Sequence, residues 1–175
     1  NASIYFDFRV MYGNERLGDQ LRAWLNKTVR GNSAFLRMMA ANALKVAPPL
    51  GRLRDFVVED GGSIDLKKSG ARLFVDVARI LALRTGVDSS STAQRLRQAS
   101  TKMGVSADEV AAMVDGFHFV QLLRLRSQRL DTEHGAPGDN HVNPDSLNEL
   151  DRNILKEAFR QARKLQTRLK LDYQL

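Results

Sequence analysis

Arg72, Asp76 and Arg79 fall at i, i+4 and i+7 of one helical run, so Asp76 can bridge both guanidinium groups. Further along, Gln121, Arg124 and Gln128 form a polar stripe on a run that Phe117, Phe119, Val120, Leu122, Leu123 and Leu125 make apolar nearly all round. A cation on such a helix needs a carboxylate partner, with Asp76 or Asp115 as candidates, or a wet cleft. In the second case Lys67, Arg79, Arg124 and Arg126 would gather around an anionic group, a phosphate or a substrate. Asp7, in Phe6-Asp7-Phe8-Arg9, lies on the polar side of a strict alternation, where Arg9 is its nearest partner.

These residues must be positioned by a mostly helical chain. Residues 3–10 alternate as a strand, with Ile4, Phe6, Phe8 and Val10 on one side. Asn14 can cap a helix that carries Leu17, Leu21, Trp24, Leu25 and Val29 on one face, the apolar one, and stops at Gly31. Asn32 or Ser33 caps the next, which ends before Pro48-Pro49. Phe56-Val57-Val58 and Ile64-Asp65-Leu66 flank Asp60-Gly61-Gly62 as a short hairpin or two extended arms. Helical spacing then covers 71–85 and 92–103. Ser106 with Glu109 reads as a capping box opening a long helix to 133, placed at the bundle centre. Residues 134–144 read as a loop, and Asn148 caps a last helix to about 170. The expected fold is an all-α helical bundle of at least five helices with one short N-terminal strand. That strand, lacking partners in the chain, would either dock on the body or pair with the same strand of a second copy as a homodimer.

Composition bounds the function classes. The chain has 175 residues, 43% of them hydrophobic, which supports one ordinary core. Zero cysteines exclude disulfides, thiolate metal sites and a cysteine nucleophile. His118, His134 and His141 are too far apart for a zinc motif. No apolar run approaches the roughly 20 residues of a membrane span, and no leader pattern precedes the body, so the chain reads as cytoplasmic with no membrane partner. A net charge of +7 favours nucleotides, nucleic acid or an acidic protein as partners. Arg152, Lys156, Arg160, Arg163 and Arg168 form a positive stripe on the last helix, either a solvated face or a basic nucleic-acid-binding module. No aromatic residues interleave there to stack bases.

Six stretches in order, SIYFDFR, APPLGRLRDF, SIDLKKSG, FVDVARILAL, FHFVQLLRLRSQ and LKEAFRQARKLQ, resemble the nucleotidyltransferase substrate-binding domain. That domain closes bacterial signal-transduction proteins, behind CBS sensor modules and a nucleotidyltransferase domain. A more distant likeness runs to the helical domains of glutamine-synthetase adenylyltransferase and of the nitrogen-regulatory-protein uridylyltransferase, whose lysine-then-glycine stretch Lys67 and Gly70 echo. The resemblance implies a division into a terminal strand of an upstream nucleotidyltransferase domain (1–12) and a helical substrate-binding domain (13–175). It implies a non-catalytic role, with the upstream domain and a nucleotide or protein substrate as partners. For the full-length protein it implies Mg and a nucleoside triphosphate as cofactors, with none in this chain alone. Asp7 is similar to the third metal carboxylate of such enzymes, while the Gly-Ser motif with paired acids does not occur here. A rival resemblance is the spacing Arg129, four residues, His134, which is similar to the ribonuclease motif of the helical HEPN family. There the arginine steadies charge and the histidine moves a proton.

Overall fold

All but one of the α-helices described begin where a short polar side chain can take up the open amide groups of a first turn. A computed structural model describes residues 2–51, 55–59 and 61–175, with residues 2–4 as backbone only. Asn1, residues 52–54 of the 47–56 stretch and Asp60 of the expected hairpin lie outside the described residues. Six α-helices are present among the described residues: α1 (Glu15–Arg30), α2 (Ser33–Ala43), α3 (Arg72–Thr85), α4 (Thr92–Lys102), α5 (Ala107–Glu133) and α6 (Glu149–Tyr173). Asn14, Asn32, Ser91, Ser106 and Asn148 accept amide hydrogen bonds at the starts of α1, α2, α4, α5 and α6. At α5 the Ser106 hydroxyl also contacts Glu109 Oε2 at 3.3 Å. α3 instead follows a π turn, Lys67–Ala71, whose entry is held by Asp65: its Oδ1 accepts from the amides of Lys67 and Lys68, each at 2.9 Å. Gly86, at φ +64°, ends α3 in the left-handed conformation that glycine adopts without Cβ strain.

The central helix is α3 and not α5. Nine of the 14 residues of α3 are buried, against seven of the 27 in α5. The reason is length: the C-terminal half of α5 outruns the bundle, leaving Leu122, Leu125 and Leu130 at the surface. Phe74, Val77, Ile80, Leu81, Leu96, Val114, Val120, Leu155, Phe159, Leu165 and Leu169 make one continuous core. α5 and α6 approach closely at Gly116, where an added Cβ would stand 3.1 Å from Ala158 Cα. Gly70 likewise lies against Val120 and Phe159, so the π turn packs on both long helices.

Three expectations are corrected. First, residues 2–7 form a 3-10 helix and no strand. A lone strand would leave its backbone groups unpaired, whereas a helical turn bonds to itself. The turn docks on the body: Phe6 packs with Val29, Leu36 and Leu83, its ring 5.9 Å from that of Phe35. Strand pairing with a second copy therefore has no strand to start from. Second, Leu17, Leu21 and Trp24 of α1 point outward, 66%, 49% and 60% exposed. Gly18 and Val29 form the inner face instead; Val10 Cγ2 sits where a Cβ at Gly18 would be. Third, the 56–66 region turns back on itself, with the Glu59 amide donating to the Ser63 carbonyl at 2.8 Å, but Phe56-Val57-Val58 is not the strand that pairs with Ile64–Asp65. Ile64–Asp65 (β1) pairs antiparallel with His141–Val142 (β2), from the expected loop, in the register Ile64 with Val142 and Asp65 with His141. Phe56 bridges to Leu50.

Candidate anion-binding site

α3 and α4 lie side by side, and each sends one arginine to the same place. Arg79 and Arg95 are only 6% and 5% exposed, a burial that demands a counter-charge. The counter-charge is Asp7, from the docked N-terminal turn. Arg95 Nη2 donates to Asp7 Oδ1 at 2.5 Å, and Arg79 Nη2 donates to Asp7 Oδ2. Both oxygens of one carboxylate are thus held by charge-assisted hydrogen bonds from two helices. Burial pushes the Asp7 carboxyl up, but the bonds and charges of Arg79 and Arg95 outweigh it and hold its pKa below the usual value. The pairing with Arg9 expected for Asp7 is replaced by these two.

Around this centre, Asp76 accepts from Arg79 Nη1 at 3.4 Å and from Arg72 Nε at 3.2 Å, the bridge that the i, i+4, i+7 spacing predicts. A small cavity adjoins it. Phe6, Phe8, Leu25, Leu83 and Val87 are among the residues that line it. Arg22 reaches in as a third cation. It is held by Asp88 at 3.3 Å, its guanidinium lies 4.6 Å from the Phe8 ring centre, and its Nη2 donates to the Phe8 carbonyl at 2.6 Å. Arg95 Nε is buried without a hydrogen-bond partner among the described residues.

The other predicted residues are placed elsewhere. Arg124 pairs with neither Asp76 nor Asp115. Its Nε and Nη2 donate to Asn140 Oδ1 at 3.1 and 2.8 Å, and its Nη1 donates to Gln121 Oε1 at 2.6 Å. Neutral amides satisfy the guanidinium, and Asn140 in turn accepts the Leu66 amide at 2.8 Å, tying the 134–144 segment to the π turn. Arg126 bonds to Asp151 at 3.3 Å, and Lys67 is exposed. Arg79 thus lies at Asp7 and Asp76, Arg126 at Asp151, and Arg124 at Asn140, beside the π turn that begins at Lys67. Arg129 pairs with Glu133 at 2.9 Å, and His134 Nδ1 donates to the Leu130 carbonyl at 2.7 Å as the α5 end cap. The basic stripe of α6 is used internally: Arg152 meets Asp55 and Asp145, Arg160 meets Glu157, and Arg163 and Arg168 bond to the carbonyls of Leu50 and Met103.

Arg95 escaped the sequence reading. The signal was present: Arg95 lies at i−4 to Ala99 and beside Leu96, on the buried face of α4.

Residues 33–173 match a family model described as "Putative nucleotidyltransferase substrate binding domain". The chain belongs to this family. Searches of curated proteins and of solved structures return no match. The nucleotidyltransferase substrate-binding domain match includes Arg79, Arg95 and Asp76, and begins after Asp7 and α1. The site is thus built by family-domain cations and a carboxylate that precedes them. Nor do these residues fit a divalent ion. Both Asp7 oxygens face guanidinium groups, and no three histidine, aspartate or glutamate side chains gather among the described residues. Among the described residues, no helix is long and apolar enough to cross a membrane.

Proposed function

We propose that this domain binds and positions the substrate of a nucleotidyltransferase domain fused ahead of it, in a bacterial cytoplasmic signal-transduction protein with CBS sensor modules, and that it performs no transfer itself. The observation that carries the reading is the family match over residues 33–173. Two further features support it. Asp7, the one carboxylate similar to a metal ligand of such enzymes, is held as an ion-pair partner by Arg79 and Arg95. Its segment meets α3 and α4 through these ion pairs, so a domain preceding it would join the bundle beside those helices. In the full-length protein Mg and the nucleoside triphosphate belong to the upstream domain, and this domain contributes the acceptor, a nucleotide or a protein.

The test is label transfer from α-labelled nucleoside triphosphates with Mg, comparing this chain alone with the chain joined to its nucleotidyltransferase domain. No transfer by the chain alone and transfer by the joined protein are expected. Transfer by the purified chain alone would overturn the non-catalytic reading.

A further inference from the structure

Arg79 and Arg95 make a two-guanidinium anion site that the chain fills with its own side chain. We propose that this site takes a phosphate-class oxoanion when the N-terminal turn lifts, so that Asp7 is an internal stand-in that keeps the site closed. Nothing in this inference requires transfer chemistry.

Four observations converge on it. The cations are fixed in place: one comes from each of two packed helices, and both are more than nine-tenths buried. The anion lies nearer the surface: the Asp7 side chain is 29% exposed, and it arrives on a six-residue 3-10 turn outside the matched domain. In and after that turn, among the described residues, Phe6 packs on Phe35 and Phe8 lies under Arg22, while Tyr5, Val10, Met11 and Tyr12 remain exposed. Asp7 is the carboxylate that joins the two buried cations: among the described residues Arg95 pairs with it, and Arg79 pairs with it and with Asp76, which Arg72 shares. Lifting the turn leaves a buried excess of positive charge for an entering anion to neutralise.

Phosphate is favoured over carboxylate by the donors left over. A carboxylate offers two oxygens, both already used, and Arg95 Nε stays buried without a partner. A tetrahedral oxoanion offers further oxygens to that donor and to Arg22, Asn26 and Ser89 along the same cavity. The cavity that Leu25, Leu83 and Val87 line measures about 20 Å³, the space of one water, so the body of a phosphate ester enters there only once the turn has lifted.

The experiment is isothermal titration of the full chain with inorganic phosphate and with adenosine 5′-monophosphate, at ionic strength held constant with sodium chloride. If Asp7 fills the site in about nine molecules of ten, Asp7→Asn binds phosphate about tenfold more tightly than the wild type. Adding Arg95→Gln to Asp7→Asn removes that gain. Tighter binding of the monophosphate identifies an ester as the ligand, and equal binding identifies free phosphate; either supports the site. Equal affinity of wild type and Asp7→Asn, or a gain that survives Arg95→Gln, overturns it. A measurement on the wild type stands apart from any variant's folding: phosphate speeds amide hydrogen exchange over residues 5–9 relative to chloride. Unchanged exchange there with phosphate bound overturns the proposal.

Discussion

Asp7 and Arg95, 88 positions apart in the chain, are joined by a 2.5 Å hydrogen bond from Nη2 to Oδ1. Its consequence is acid sensitivity. The folded pKa of Asp7 lies below the ordinary carboxylate value, so at low pH the unfolded chain binds the proton first. The stabilisation is complete above the unfolded value, near about 4, and is lost as pH falls through the folded one. Urea midpoints measured from about pH 6 down to about pH 2 should fall for the wild type and fall less for Asp7→Asn. Glu157, where bonds from Arg160 and Gln161 outweigh burial, and Asp55, held chiefly by the Phe56 amide, keep a residual acid limb in that variant. Identical pH curves for wild type and Asp7→Asn would show that the ion pair does not contribute.

Gly116 sets the distance between α5 and α6, because a Cβ there would meet Ala158 Cα at 3.1 Å and its Cβ at 3.4 Å. Gly116→Val should destabilise by about 1–3 kcal/mol through overpacking. Chemical denaturation measures this. An unchanged midpoint would mean that the helices separate without cost.

Asn140 is the hub for Arg124, Gln128 and, through its carbonyl, the Leu66 amide. Asn140→Ala strips the side-chain acceptor and should cost about 1–3 kcal/mol, the penalty for part-buried donors left unpaired. Hydrogen exchange should rise at Leu66 and across β1. If Arg124→Met in the Asn140→Ala background restores stability, the penalty is the stranded guanidinium. If it does not, this account of the cost fails.

Trp24 is the single tryptophan and faces water. Its emission should resemble that of tryptophan in solvent, with free access to iodide. Leu17→Gln, Leu21→Gln and Trp24→Gln should each shift stability by less than about 0.5 kcal/mol. A shielded fluorophore would instead place this stripe against a second copy.

The helices were legible in the sequence because their signals are local. A cap such as Asn32 or Asn148, an apolar period and a stop such as Gly31 each act through the backbone they adjoin. The Arg72–Asp76–Arg79 bridge was legible for the same reason, since helix geometry alone sets that spacing. Where alternation misled, at residues 2–7, a strand pattern had no strand to join, and the turn that bonds to itself prevailed.

Tertiary structure decided everything that depends on a partner distant in sequence. It exposed one apolar face of α1, paired β1 with β2, and gave Arg124 an amide in place of a carboxylate. It also assembled the site. Arg79 and Arg95 are read from the chain only as members of two separate helices, and Asp7 only as a polar residue near the start. That the three meet follows from the packing of α3 on α4 and the docking of Phe6 beside them, because buried cations accept whatever anion the fold brings within reach.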